Sequence, residues 1–165
     1  MKSVQEIIKE FAKKLPKFPD GRIDYSHADT APVLNVVLKW KDKILILKRS
    51  DKVKNYKRKW NTLGGYLDDL QSLQEKVREE LREELQIVKI TDSQIHLGTP
   101  YTLKDTEINK TWIVHPVVVL FKKKPKVVLD WEHTEYRWIH PGEINDFDTI
   151  QKLDDMLKNL NILKK

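Results

Sequence analysis

The stretch from Leu70 to Ile87 carries two patterns at once, and together they constrain the chain more than any other segment. Leu70, Leu73, Val77, Leu81 and Leu85 recur at three- and four-residue intervals, with charged residues between them. Such spacing predicts a helix that lays one apolar stripe on a sheet and turns a row of acids the other way. Within that row Glu80, Glu83 and Glu84 are spaced i, i+3 and i+4, so their carboxylates leave one face of the helix. Like charges at this spacing repel by roughly 0.2–0.5 kcal/mol per pair. A divalent cation would remove the repulsion, and an oxygen-only donor set suits Mg²⁺ or Mn²⁺. The same acids equally fit a solvated surface on which they pair with Lys76, Arg78 and Arg82.

The rest of the chain predicts a sheet for that helix to pack on. Val4, Ile7, Ile8, Phe11, Ala12 and Leu15 have helical spacing over 3–15, with Ser3 and Glu6 as a capping box and Pro16 just beyond. A loop over 17–29 leads to an apolar strand at 31–40, a turn at Lys41-Asp42 and a return strand at 43–49. A basic loop follows at 52–59. Strands are expected at 94–103, 111–121, 127–129 and 135–139, and a last helix near 147–161 with Ile150, Leu153, Leu157 and Leu160 inward. Strands and helices mixed in this order predict an α/β fold with a central mixed sheet covered by helices.

Composition narrows the classes of function. At 165 residues the chain is expected to be a single domain, 1–165, large enough to fold without metal or disulfide staples. It has no Cys, hence no disulfide framework, thiolate zinc site or cysteine nucleophile, and a cytoplasmic protein is the expectation. The longest apolar run, Trp112 to Phe121, is broken by His115 and Pro116, so no membrane span is predicted. Glu6, Glu10 and paired lysines stand where a secretion signal would be apolar. The net charge of +6 suits an anionic ligand and mere solubility alike. The five His show no paired metal spacing, and neither a G-x-S-x-G elbow nor a phosphate-binding G-x-x-x-x-G-K loop occurs.

Gly64-Gly65-Tyr66-Leu67-Asp68-Asp69-Leu70-Gln71, with Glu79-Glu80-Leu81-Arg82-Glu83-Glu84-Leu85-Gln86-Ile87, resembles the signature of the Nudix hydrolase family, G-x5-E-x7-R-E-U-x-E-E-x-G-U, where U is aliphatic. Gly65, Glu80, Leu81, Glu83, Glu84 and Ile87 match it. Gln71 replaces the first glutamate, Glu79 the arginine and Gln86 the second glycine. Further likenesses fall in order: Leu47-Lys48-Arg49-Ser50 resembles the strand ahead of the signature, and Trp60 to Gly65 the family's W-x-x-P-G-G entry. Glu132-His133-Thr134-Glu135-Tyr136-Arg137-Trp138-Ile139 resembles an E-H-x-x-Y-x-W segment of branches that include dinucleoside tetraphosphate and nucleoside triphosphate hydrolases. The resemblance covers about 31 to 145.

It implies an α/β/α sandwich with a central mixed β-sheet, an extra N-terminal helix and loop (1–28) and a Nudix-type loop-helix at 64–87. It implies a Mg²⁺- or Mn²⁺-dependent pyrophosphohydrolase acting on a nucleoside diphosphate-linked small molecule, of nucleoside triphosphate or dinucleoside polyphosphate type. The alternative is a catalytically weak module that binds a nucleotide or an RNA 5′ end. By the same resemblance Gly65, Glu80, Glu83 and Glu84 hold the metal. The proton of the attacking water goes to one of these glutamates or to a loop acid, for which Glu132 is the candidate and Glu135 the alternative. Arg49 and Lys59 contact phosphate, with Lys57 as a further candidate. Tyr66, Tyr101, Trp112 and Trp131 are aromatic enough to stack on a base, without an assignment among them. Family members are often dimers, so a homodimer using the first helix is open. Glu79→Arg, which restores the signature, is expected to raise activity or metal affinity.

Overall fold

The apolar segments form one mixed sheet with helices on both faces, in a computed structural model that describes residues 2–164. Its spine is a long parallel pair, β1 (Thr30–Trp40) beside β7 (Lys110–Phe121), in register over the full length of β1. Antiparallel to β1 lie β2 (Lys43–Arg49) and β4 (Leu63–Tyr66); β2 also pairs with β3 (Trp60–Asn61) and β8 (His133–Ile139). On the other side of the spine β5 (Ile95–Leu97) and β6 (Tyr101–Asp105) pair with β7. Residues buried on both sides read as near-continuous apolar runs, which is why β1 and β7 lack strict alternation.

Two core layers flank the sheet. On one face Leu34, Val36, Leu38, Leu45 and Leu47 pack with Val77, Leu81 and Leu85 of α2 (Leu73–Leu85), and Ile8 of α1 (Val4–Lys14) closes the same layer with Ile23 and Tyr25. On the other, Val37, Ile44 and Ile46 pack with Leu153, Met156 and Leu157 of α3 (Leu153–Asn159). The arrangement is the expected α/β/α sandwich. None of the helices among the described residues is long and apolar enough to cross a membrane.

Four expected boundaries shift, each for a local hydrogen-bonding reason. α2 starts at Leu73, not Leu70, because Ser72 caps it and forms a reciprocal capping box with Glu75; Leu70 is 55% exposed. The expected strand at 94–103 is split into β5 and β6, where the Gly98 N–H turns in to the Pro116 carbonyl (2.8 Å). Residues 127–129 are no strand: the N–H groups of Val128 and Asp130 donate to the carbonyls of Leu85 and Glu84 (3.1 and 3.2 Å), satisfying the open end of α2. The last helix covers only Leu153–Asn159, because residues 148–150 bond to both backbone groups of Trp60 and stay extended.

Candidate active site

β1, β4 and α2 meet at the glycine pair. A Cβ on Gly64 would come within 2.8 Å of both Asn35 Oδ1 and the Leu34 carbonyl, and one on Gly65 within 2.6 Å of Glu80 Oε1. Gly64 is therefore required by the close approach of the Leu34 backbone, and at Gly65 the Glu80 carboxylate rests on the backbone, in the space a Cβ would take. One turn further along α2, Glu84 meets the loop that caps the helix end. Carboxylate oxygens of Glu84, Asp130 and Glu132 all lie within 4.8 Å of one another. These acids, with Glu80 and Glu83, line one cavity of about 540 Å³.

Among the described residues Glu80, Glu83, Glu84 and Glu132 have no salt bridge to a Lys or Arg, and Asp130 is paired only with the His133 ring (3.2 Å). Burial, then the charges of Glu83 and Glu79, push the Glu80 carboxyl up to about 7 against the opposing pull of Lys76. Burial together with the hydrogen bond and charge of Glu132 pushes Glu84 up to about 12, and burial and Glu132 raise Asp130. Glu84 Oε2 is buried without a hydrogen-bond partner. An orphaned buried oxygen among crowded carboxylates is the donor set of a hard divalent cation, so the residues present fit Mg²⁺ or Mn²⁺. Across the cavity stands Arg49, whose Nε donates to the Asn55 carbonyl (3.0 Å) and whose pKa burial lowers while Glu132 and Glu84 hold it up.

The neighbouring flank of α2 is built the opposite way. Glu79 is ion-paired to Arg22 (2.8 Å) and Lys76 (2.7 Å), and Gln71 Nε2 reaches it at 3.4 Å. Lys76, 2% exposed, also pairs with Asp68 (2.8 Å). These cations outweigh the cost of burial and hold the Glu79 carboxyl below its ordinary value. Gln86 ends the helix in the left-handed region (φ 57°), its N–H donating to the carbonyls of Arg82 and Leu81. The three departures from the signature are thus accommodated locally: Gln71 and Glu79 in one network, Gln86 as the C-cap.

Of the residues expected from the sequence, the structure brings Gly65, Glu80, Glu83, Glu84, Glu132 and Arg49 to one cavity. It does not bring Lys59, which is ion-paired to Asp148 (2.7 Å) and lies outside the lining, nor Lys57. Strand β3 turns that part of the basic loop toward residue 148, away from the acids. Glu135 pairs with Arg137 (3.0 Å) and lies outside the lining, whereas Glu132 lines the cavity. Tyr66, Tyr101, Trp112 and Trp131 all reach the cavity, Trp131 at its edge with 60% exposure. Sequence reasoning missed Asp130, Asn35 and Tyr56, the last donating to Asp105 and accepting from Trp112 Nε1 (3.2 Å). Asp130 could have been found as the second acid of the Glu132 loop.

The sequence pattern of the NUDIX domain matches residues 29–160. Among solved structures, the MutT protein from Methanosarcina mazei Go1 superimposes with a TM-score of 0.68 at 21% identity, covering 82% of this chain and 95% of that one. A C. elegans Ap4A hydrolase, solved as a binary complex, gives 0.62 at 15% identity, over 79% and 95%. The NUDIX domain of Shewanella oneidensis NrtR, complexed with ADP ribose, gives 0.66 at 14%, over 93% and 96%. None of the curated proteins matches the sequence.

Proposed function

This chain belongs to the Nudix family of hydrolases that act on pyrophosphate bonds, and from that premise we propose that it is a Mg²⁺- or Mn²⁺-dependent pyrophosphohydrolase of nucleotide-type substrates. The observation that carries this reading is the cluster of buried Glu84 with half-buried Asp130 and Glu132, facing Arg49 across one cavity. With Glu80, Glu83 and the Gly65 carbonyl, these acids would hold the metal. When bound, the divalent cation neutralises the phosphate chain and polarises its oxygens.

The remaining work falls to side chains. Arg49 binds the phosphate oxygens and stabilises charge that builds on them as water attacks phosphorus and the bridging P–O bond breaks. Glu132 accepts the proton of the attacking water. The cavity volume is that of a site that buries a small molecule, and Tyr66 and Trp112 with the neutral carboxamide of Asn35 offer a flat base both stacking and hydrogen bonds. A nucleoside triphosphate or dinucleoside polyphosphate fits that combination, and an enzyme of such substrates works in the cytoplasm. Structural neighbours that are an Ap4A hydrolase and an ADP-ribose complex support a nucleotide-type ligand.

The deciding experiment is product release from nucleoside triphosphates, dinucleoside polyphosphates, ADP-ribose and triphosphorylated RNA, with Mg²⁺ or Mn²⁺, beside Glu83→Gln. Turnover is expected for a nucleotide, and the mutant should lose on the order of 10²–10³-fold in kcat. Wild-type turnover in Glu83→Gln would overturn the site. Binding without turnover would instead make the chain a nucleotide-sensing module.

A further inference from the structure

The family match begins at residue 29, yet the segment ahead of it is tied into the site. Ile8, Ile23 and Tyr25 are buried, and the Tyr25 ring stacks on Tyr66 at 5.3 Å. Backbone and side chain then grip the loop that joins the glycine pair to α2: Ile23 N–H donates to the Asp68 carbonyl (2.9 Å) and Tyr25 O–H to the Leu67 carbonyl (2.8 Å). A third attachment goes to the helix itself, through the ion pair of Arg22 with Glu79. Since Glu79 also holds Lys76, and Lys76 holds Asp68, the contacts close a ring from the N-terminal segment to helix, to loop and back. An ion pair on an open surface would be worth little; the Arg22 side chain is 37% exposed, but its acceptor Glu79 is 8% exposed and the adjoining Lys76 2%, so the pair is sheltered at its helix end. Where the signature has an arginine on the helix, this chain has a glutamate, and besides Lys76 of the helix a second cation reaches it from another element.

Loop and helix are the two parts that must stay in register. Gly65 lies on the loop side, Glu80 adjoins Glu79 on the helix side, and the room between them is too small for a methyl group. A displacement of about 1 Å in such a site can cost on the order of 10²-fold in rate. We propose that Arg22 is a positioning residue of the carboxylate site: through Glu79 it fixes α2 against the glycine loop, which makes the segment over residues 3–28 a working part of the metal site. This rests on the reading of that site as a divalent-metal centre.

The test is a mutant cycle of Arg22→Met, Arg22→Lys, Glu79→Gln and the double variant Arg22→Met/Glu79→Gln. It reads Mn²⁺ affinity of the substrate-free protein, kcat and KM for the nucleotide that the wild type hydrolyses, and the thermal midpoint. Arg22→Met should weaken Mn²⁺ binding and lower kcat by about 10-fold or more, as losses of groups that orient metal ligands do, with KM for the nucleotide within about twofold. Arg22→Lys should recover most of the loss. On the Glu79→Gln background Arg22→Met should add no more than about twofold, because the two residues act as one unit. A lower thermal midpoint with unchanged Mn²⁺ affinity would overturn the proposal, as would an equal loss on both backgrounds. Failure of the hydrolase reading looks different: the wild type itself would turn over no nucleotide.

Discussion

Glu79 and Glu80 are neighbours on α2, each 8% exposed, and their carboxyl groups are driven in opposite directions. Glu79 stands between Arg22 and Lys76 and stays ionised more readily than a free carboxyl. Glu80 faces the cavity with Glu83 and Glu84 for company, and there burial and like charge favour the proton. One step along a helix turns a side chain by about 100°, and that turn separates an acid tied to two cations from one that faces the cavity among other acids. Similar exposure thus has opposite consequences: the Glu80 carboxyl is the more deeply desolvated and lies among acids, whereas Glu79 lies between two cations that outweigh its burial.

The contrast can be broken most forcefully on its paired side. Lys76→Met removes the buried cation shared by half-buried Asp68 and buried Glu79, leaves Glu79 only Arg22, and should cost about 3 kcal/mol of stability, read from the denaturant midpoint. A loss under about 1 kcal/mol would mean that the network is not a buried one. Glu79→Arg would set a cation against Arg22 and Lys76, so the structure reverses the expectation drawn from the signature: the variant should lose both stability and activity.

A smaller effect sharpens the unpaired side. In metal-free protein the folded state keeps the Glu80 proton up to about 7, whereas the ordinary value is 4.5. The folded form therefore binds more protons over that interval. Stability is full below about pH 4.5 and declines by about 2–3 kcal/mol as pH rises to 7. Glu80→Gln should flatten this decline, as measured by urea unfolding at successive pH values, whereas Glu79→Gln should lower stability at neutral pH. The same slope in Glu80→Gln would assign the decline to another group.

The smallest effect is a control outside both flanks. Gln86 occupies the left-handed region as C-cap, where glycine carries no side-chain penalty. Gln86→Gly should stabilise by about 0.5–1 kcal/mol, raising the thermal midpoint by about 1–4 °C with activity unchanged. No shift would mean that the cap bonds to Arg82 and Leu81 already offset the strain.

Much of this molecule is local enough to read from the chain. The apolar stripe of α2, the capping box at Ser3 and Glu6, the i, i+3, i+4 acids and the glycine pair depend on spacing within a turn or two. Those spacings determined the helix, its carboxylate face and the α/β alternation, since helix and strand periods are properties of consecutive residues. What lies between distant segments was decided only in three dimensions. Asp130 joins Glu84 because the chain end of α2 needed donors for its carbonyls, Lys59 leaves the site because Asp148 attracts it, and Arg22 finds Glu79 although they stand 57 positions apart in the chain. Whether a given glutamate is a strut or a ligand is set by which charges packing brings within a few ångströms, and no spacing along one strand or helix encodes that.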